Sequence, residues 1–218
     1  MSRSPDSKPP RGAGVTRRTF LVGAGVAAGG ALGAAPATGL ASTRAKQAAE
    51  DDLLRLDGPF VVSFRLNGKE VRLPAEPRTT LLSLLRHAAD PPLTGTKEGC
   101  DRGSCGACTV LLDGQPVYAC LTLAGNLFGC EVTTVEGLGT PEELSTVQEA
   151  FWKHDALMCG FCTPGFVVAV TACLNENPAA GAEEIRSACA GNICRCGTYP
   201  QIVAAALAAG ARMQEGRR

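Results

Sequence analysis

Two groups of cysteines constrain this 218-residue chain more than any other feature of its sequence. The first group has the spacing C-x4-C-x2-C and is closed by a fourth cysteine after eleven intervening residues: Cys100, Cys105, Cys108 and Cys120. The second group is a C-x2-C pair and a C-x-C pair separated by thirty-one residues: Cys159, Cys162, Cys194 and Cys196. The first spacing is one that holds a 2Fe–2S cluster on four thiolates. Four further thiols predict a second cluster, and two clusters indicate electron transfer.

Glycines around the first group support this interpretation. Gly99, Gly103 and Gly106 lie beside the ligands, where a loop that curls around a cluster needs positive φ angles. Backbone N–H groups that point into such a loop attract the negative charge of a cluster. Zinc is the alternative, but structural zinc sites usually pair two short cysteine knuckles, whereas this group has three cysteines in one loop.

A disulfide framework is the other alternative, because the N-terminus resembles an export signal and exported cysteines tend to oxidise. The count of eleven cysteines is odd, however, and three cysteines within nine residues are unusual for disulfides in a chain of this size. The three cysteines outside both groups are expected to be small buried apolar residues: Cys130, Cys173 and Cys189.

The N-terminus carries a twin-arginine pattern, Thr-Arg-Arg-Thr-Phe-Leu, over residues 16–21. A weakly apolar Ala/Gly-rich stretch follows over residues 20–35 and is too short to span a bilayer. We therefore predict a signal peptide over residues 1–41, no stable membrane span, and a periplasmic protein exported in the folded state. This route also weakens the disulfide alternative, because the clusters would be inserted before the thiols meet an oxidant.

The remaining chain is mildly acidic, which argues against nucleic acid as a partner. Residues 42–218 contain 16 basic and 20 acidic residues, whereas nucleic-acid-binding domains usually carry a basic surface. No Ser/His/Asp set, carboxylate pair or phosphate-binding loop is present in the sequence. We expect no catalytic residue on this chain.

The patterning predicts an α+β fold with two domains after a linker over residues 42–58. Residues 59–136 alternate apolar and polar side chains as strands do, with Asn67-Gly68 as a hairpin turn. A leucine-rich helix follows, then the first cysteine loop, a second hairpin and a last strand over Val132–Val135, which together predict a β-grasp domain. Residues 137–214 predict a four-helix bundle, opened by a capping box at Ser145. Its third helix is expected to end at Gly191.

Three stretches together resemble the small iron–sulfur subunit of the molybdenum hydroxylases, the xanthine oxidase and aldehyde oxidoreductase family. They are Lys-Glu-Gly-Cys at 97–100 with Cys-Gly-Ala-Cys at 105–108, Cys-Gly-Phe-Cys-Thr-Pro-Gly at 159–165, and Gly-Asn-Ile-Cys-Arg-Cys-Gly at 191–197. The likeness covers about residues 60–210. The last stretch is most similar to the bacterial isoquinoline and periplasmic aldehyde oxidoreductase branches.

The resemblance implies a role for each cysteine group. The first group would bind the outer 2Fe–2S cluster, and the second would bind the inner cluster beside a molybdopterin cofactor on a separate large subunit. That subunit would oxidise an aldehyde or N-heterocycle, and a FAD subunit or a cytochrome would accept the electrons. Met158 occupies the pterin-facing position at which the family usually has glutamine, so the amide contact is lost. The alternative function is that of a free-standing two-cluster ferredoxin.

Overall fold

The computed structural model describes residues 58–216. The predicted signal peptide and nearly all of the predicted linker lie outside the described residues. The first half of the described chain forms one five-stranded sheet. Its strands are β1 (Phe60–Leu66), β2 (Lys69–Ala75), β3 (Thr109–Leu112), β4 (Gln115–Tyr118) and β5 (Glu131–Thr133), in the order β2-β1-β5-β3-β4.

The first hairpin forms where the sequence predicts it. Asn67 and Gly68 have φ angles of 51° and 79°, and a type I′ turn requires positive φ at both central residues. Strand β1 pairs antiparallel with β2 on one side and parallel with β5 on the other. Val62, Phe64 and Leu66 are all buried, so the alternating pattern does place one face of β1 in the core.

The predicted leucine helix begins at Leu81 with Thr80 as its cap but is not a uniform α-helix. Helix α1 (Leu81–Ser83) continues as a π-turn over Leu84–Ala88. The Ala89 N–H donates to the Leu84 oxygen at 2.9 Å, which is the i to i+5 bond that defines this wider turn. All four leucines of the segment are buried under the sheet.

The second half of the described chain is helical, as predicted. It consists of α2 (Thr146–Lys153), α3 (Thr163–Glu176), α4 (Ala182–Ala188) and α5 (Tyr199–Glu215). The capping box at the start of α2 is confirmed: the Gln148 N–H donates to Ser145 Oγ at 3.2 Å, and the Ser145 N–H donates to Gln148 Oε1 at 2.9 Å. None of the helices in the described residues is both long and apolar enough to span a membrane.

Two predicted boundaries are wrong. Strand β5 ends at Thr133 rather than Val135, because the Thr134 N–H donates to Asn67 Oδ1 at 2.9 Å and a 3₁₀ turn follows. Helix α4 ends at Ala188, so Gly191 lies beyond the helix cap. Gly191 is instead required for close packing, since a Cβ there would lie 1.8 Å from the hydroxyl of Tyr118.

The sheet and the helices of the described residues belong to one compact unit. Helix α3 packs against β3 and β4. At its first turn a Cβ on Gly165 would lie 2.4 Å from the backbone oxygen of Gly106, so a glycine allows the helix to approach the first cysteine loop closely. This packing brings the two cysteine-bearing regions together.

Candidate metal centres

The first cysteine group lies between α1 and β3 and just after β4. Cys100, Cys105 and Cys108 are on one loop, and Cys120 follows β4 by two residues. Three residues of the loop have positive φ: Asp101 (50°), Gly103 (71°) and Gly106 (69°). The sequence predicts positive φ at Gly103 and Gly106, and also at Gly99, where the structure does not have it. It does not predict positive φ at Asp101, although aspartate tolerates this region better than most residues.

Backbone N–H groups of this loop point at the sulfurs. The Gly103 N–H lies 3.3 Å from Cys120 Sγ, and the Ser104 N–H lies 3.2 Å from Cys100 Sγ. Hydrogen bonds of this kind stabilise a thiolate over a thiol, and they tune the potential of an iron–sulfur cluster. The loop is therefore shaped for negatively charged sulfur.

The thiols of the first group interact in pairs and ionise unequally. The Cys100 thiol interacts with the Cys105 thiol, and the Cys108 thiol interacts with that of Cys120. Hydrogen bonding from the Arg102 backbone lowers the pKa of Cys100 to about 7. Burial raises the pKa of Cys108 to about 12. A metal ion that bound Cys108 would have to displace the proton that this thiol keeps at neutral pH.

The second group lies on two loops that each precede a helix. Cys159 and Cys162 flank Gly160, whose φ is 78°, and Cys162 is the N-cap of α3. Cys194 and Cys196 lie on the loop before α5. The Cys162 thiol interacts with the thiols of both Cys194 and Cys159, so the structure brings together cysteines from the two distant pairs.

Hydrogen bonds on the second loop favour the ionised form of Cys194. Burial opposes ionisation, but the side chain and backbone of Thr198 outweigh it and lower the pKa of Cys194 to about 7. Thr198 Oγ1 lies 3.2 Å from Cys194 Sγ. The Cys194 N–H donates to the Tyr199 hydroxyl oxygen at 2.8 Å. Burial raises the pKa of Cys162 to about 12.

The arrangement fits a two-iron cluster in each group. Within the described residues no three His, Cys, Asp or Glu side chains converge closely enough to hold a single metal ion. In the first group Cys100 interacts with Cys105 and Cys108 with Cys120, and in the second Cys162 interacts with both Cys159 and Cys194. A 2Fe–2S cluster takes four thiolates, two on each iron. All eleven cysteines lie in the described part of the chain and have free thiols.

The three remaining cysteines differ from one another. Cys189 is buried, as predicted, and burial raises its pKa to about 12. The same prediction is wrong for Cys130 and Cys173, which are partly exposed. Cys130 lies after a turn, where its Sγ donates to the Asn126 oxygen at 3.4 Å. Cys173 lies in the last turn of α3 and packs against the buried residues of the helical half.

Apolar side chains are exposed around the second group. Met158 is 69% exposed, Phe161 47% and Ile193 56%. These residues lie directly beside Cys159, Cys162 and Cys194 on the two loops. Apolar side chains concentrated around a site in this way are typical of a surface that binds another protein. Met158 is therefore on the surface rather than in the core of the helical domain.

Sequence reasoning missed the residues that support the cysteine loops. Thr198 and Tyr199 hold Cys194 from the first turn of α5, and buried Asn192 bonds to the first loop. The only sequence signal for Thr198 and Tyr199 was their position within one helical turn after Cys196. Asn192 was part of a quoted motif, but nothing in the sequence indicated its contact.

Both cysteine groups lie within segments that match iron–sulfur families. Residues 64–125 match the 2Fe-2S iron-sulfur cluster binding domain, and residues 134–207 match the [2Fe-2S] binding domain. The first segment includes Cys100 through Cys120, and the second includes Cys159 through Cys196. The predicted β-grasp and helical 2Fe–2S architecture is thereby confirmed.

Three known proteins are similar over most of the described chain. The aldehyde oxidoreductase iron-sulfur-binding subunit of Escherichia coli (strain K12) is 46% identical over 66% of this chain and 69% of its own length. The nicotine 6-hydroxylase small subunit of Paenarthrobacter nicotinovorans is 46% identical over 67% of this chain and 87% of its own. The crystal structure of quinoline 2-oxidoreductase from Pseudomonas putida 86 includes a chain that is 41% identical and superposes with a TM-score of 0.69. The match covers 74% of this chain and 100% of the quinoline 2-oxidoreductase chain.

Proposed function

The chain belongs to the iron–sulfur subunits of the molybdenum hydroxylases, and from this premise we propose how its cysteines serve an electron-transfer complex. Cys100, Cys105, Cys108 and Cys120 would hold the outer 2Fe–2S cluster. Cys159, Cys162, Cys194 and Cys196 would hold the inner one. When bound, each cluster supplies a one-electron redox centre. The chain itself supplies the ligands, the hydrogen bonds to sulfur and the spacing between the two groups.

One observation carries this proposal: two groups of four cysteines lie on adjoining loops of one compact unit. A Cβ on Gly99, beside Cys100, would lie 3.1 Å from Cys105 Sγ and 3.5 Å from the ring of Phe161 in the second group's loop. The two loops therefore touch. A pair of redox centres held side by side suits a chain that passes electrons onward rather than one that transforms a substrate itself.

We propose that the partner is a molybdopterin-containing large subunit that oxidises an aldehyde or N-heterocycle. The names of the similar proteins include an aldehyde oxidoreductase and enzymes of nicotine and quinoline, which supports these two substrate classes. The exposed apolar residues around the second group, among them Met158 and Phe161, would form the interface. A free-standing two-cluster ferredoxin would expose these side chains to water throughout its lifetime.

We further propose that a FAD subunit or a cytochrome accepts the electrons from the outer cluster, and that the complex works in the periplasm. The second part rests on the twin-arginine pattern at Arg17 and Arg18. Export after folding would allow iron to be inserted in the reducing cytoplasm, where thiols stay free.

The test is to purify the complex from its host and analyse it for metals and subunits. We expect about four irons and about four labile sulfides per chain, two reduced-state EPR signals, and a co-purifying subunit that contains molybdenum. A colourless protein with zinc in place of iron would refute the cluster assignment. A red-brown chain that elutes alone from its native host would favour the free-standing ferredoxin.

A further inference from the structure

A buried asparagine joins the two cysteine loops. Asn192 is 6% exposed and precedes Cys194 by two residues. Its Nδ2 donates to the backbone oxygen of Gly106 at 2.9 Å and lies 3.2 Å from Oγ1 of Thr109. Gly106 belongs to the loop of the first group, and Thr109 follows its third cysteine. One side chain from the second group thus bonds to two residues of the first.

These polar groups satisfy one another away from water. Thr109 is 4% exposed, and its Oγ1 donates to the Gly106 oxygen at 2.6 Å. The three groups form a closed triangle with Asn192. Buried polar groups in folded proteins are almost always hydrogen-bonded, so neither loop can move away without leaving partners unpaired in the interior.

The residues on either side of Asn192 also contact the first domain, in each case through one of their own backbone groups. The Ile193 N–H donates to the Cys105 oxygen at 2.9 Å. The Tyr118 hydroxyl donates to the Gly191 oxygen at 3.1 Å. Ile193 is covalently joined to Cys194, so a single hydrogen bond separates the backbone of one cysteine group from that of the other. Asn192 lies between these two residues. It differs from them because it contacts the first domain through its side chain, whereas Gly191 and Ile193 do so through backbone atoms.

We propose that Asn192 is a positioning residue that fixes the separation of the two cysteine groups, and with it the coupling between the clusters they hold. The inference rests on the proposed function. An electron that passes from the second group to the first oxidises one ferrous ion to ferric in the second and reduces one ferric ion to ferrous in the first. No bond would break and no proton would move in this transfer, so its rate depends on the distance between the clusters and on their potentials. Asn192 acts on the distance, because it bonds one loop to the other.

The test compares two substitutions of the same type in the full chain within its purified complex. Asn192→Asp keeps the size of the side chain but replaces the Nδ2 donor with an oxygen that faces the Gly106 oxygen. Asn175→Asp is the control, because Asn175 is exposed on α3 and the charge change is the same. Both complexes are reduced with dithionite, and the splitting of the EPR signals that arises from the interaction between the two reduced clusters is measured. Hydrogen exchange at the Ile193 amide is followed in parallel.

We expect Asn192→Asp to lose the splitting and to exchange the Ile193 amide faster, while iron content and both signals remain. The control should match the wild type in all four measurements. If Asn192→Asp fails to load iron, Thr109→Val is tested in its place. This substitution removes the hydroxyl that Asn192 and Gly106 contact and keeps the shape of the side chain. A weaker splitting in Thr109→Val then supports the positioning role of Asn192 and its hydrogen bonds. An unchanged splitting overturns that role.

The two proposals fail in different ways. Unchanged splitting and unchanged exchange in Asn192→Asp, with both clusters present, would overturn only the positioning role. A wild-type complex without iron and labile sulfide would overturn the proposed function and the positioning role together.

Discussion

Substituting alanine for Gly191 places a methyl group where the hydroxyl of Tyr118 lies. A Cβ at this position would be 1.8 Å from the hydroxyl oxygen and 3.1 Å from Cζ of the same ring. The φ of Gly191 lies outside the left-handed region, so alanine can adopt the backbone conformation without strain. The tyrosine is therefore the only obstacle among the nearest atoms, and it must move away.

The cost has three parts. Displacing the ring breaks the 3.1 Å bond from the hydroxyl to the Gly191 oxygen, which is worth about 0.5–1.5 kcal/mol. Overpacking adds about 1–3 kcal/mol, while alanine regains about 0.4–1 kcal/mol by restricting the unfolded chain. The middle of the net range is about 2 kcal/mol. For a domain of this size that lowers the unfolding midpoint by about 4–8 °C.

The assay is the thermal unfolding midpoint of the cluster-loaded protein for the two single variants and the double variant. Tyr118→Phe alone should cost about 1 kcal/mol through the lost hydrogen bond. The double variant should cost less than the sum by at least about 1 kcal/mol, because the hydrogen bond is lost only once and the phenylalanine has no hydroxyl to displace. Gly216→Ala is the control, since the nearest atom to its Cβ would be 3.7 Å away. Strictly additive costs, or a Gly191→Ala midpoint equal to that of the control, would refute the steric argument.

Three further predictions concern the clusters, export and the partner interface. Cys105→Ser should remove one EPR signal and about two irons per chain and leave the other signal, because the two ligand sets are separate; loss of both signals would contradict this. Replacing both Arg17 and Arg18 with lysine should keep the cluster-loaded protein in the cytoplasm. Cell fractionation that finds this double variant in the periplasm at the wild-type level would disprove the twin-arginine assignment. Met158→Gln should leave cluster content and the unfolding midpoint unchanged, because Met158 is 69% exposed. It should change the rate of substrate-driven cluster reduction in stopped flow relative to reduction by dithionite, and a fall in cluster content would show that Met158 has a packing role instead.

Features that depend on neighbours in the sequence were predictable. The alternation of Val62, Phe64 and Leu66 with other residues predicted the buried face of β1, and Asn67-Gly68 predicted the turn after it. The capping box at Ser145 gave the start of α2. In each case the physical cause acts within a few residues, through side-chain period, φ preference or a local hydrogen bond.

Features that depend on distant contacts were not predictable in this way. The bond from Tyr118 to Gly191 joins residues 73 positions apart, and the bond from Asn192 to Gly106 joins residues 86 apart. Gly191 matches the local signature of a helix C′ glycine, but the helix ends earlier and the glycine instead makes room for a ring from another domain. A local signal therefore identified the right residue and gave the wrong reason for it.

Each cysteine group combines one thiol that ionises readily with one that does not. Cys100 and Cys194 have pKa values of about 7 because hydrogen bonds stabilise their thiolates, whereas burial raises the pKa of Cys108 and Cys162 to about 12. At neutral pH the thiols of Cys108 and Cys162 keep their protons, and a bound metal cation would displace them. We therefore expect iron insertion and packing around these sulfurs to be coupled in the proposed cluster sites. A chain built in this way is best loaded while it folds, which agrees with the proposed export of an already folded protein.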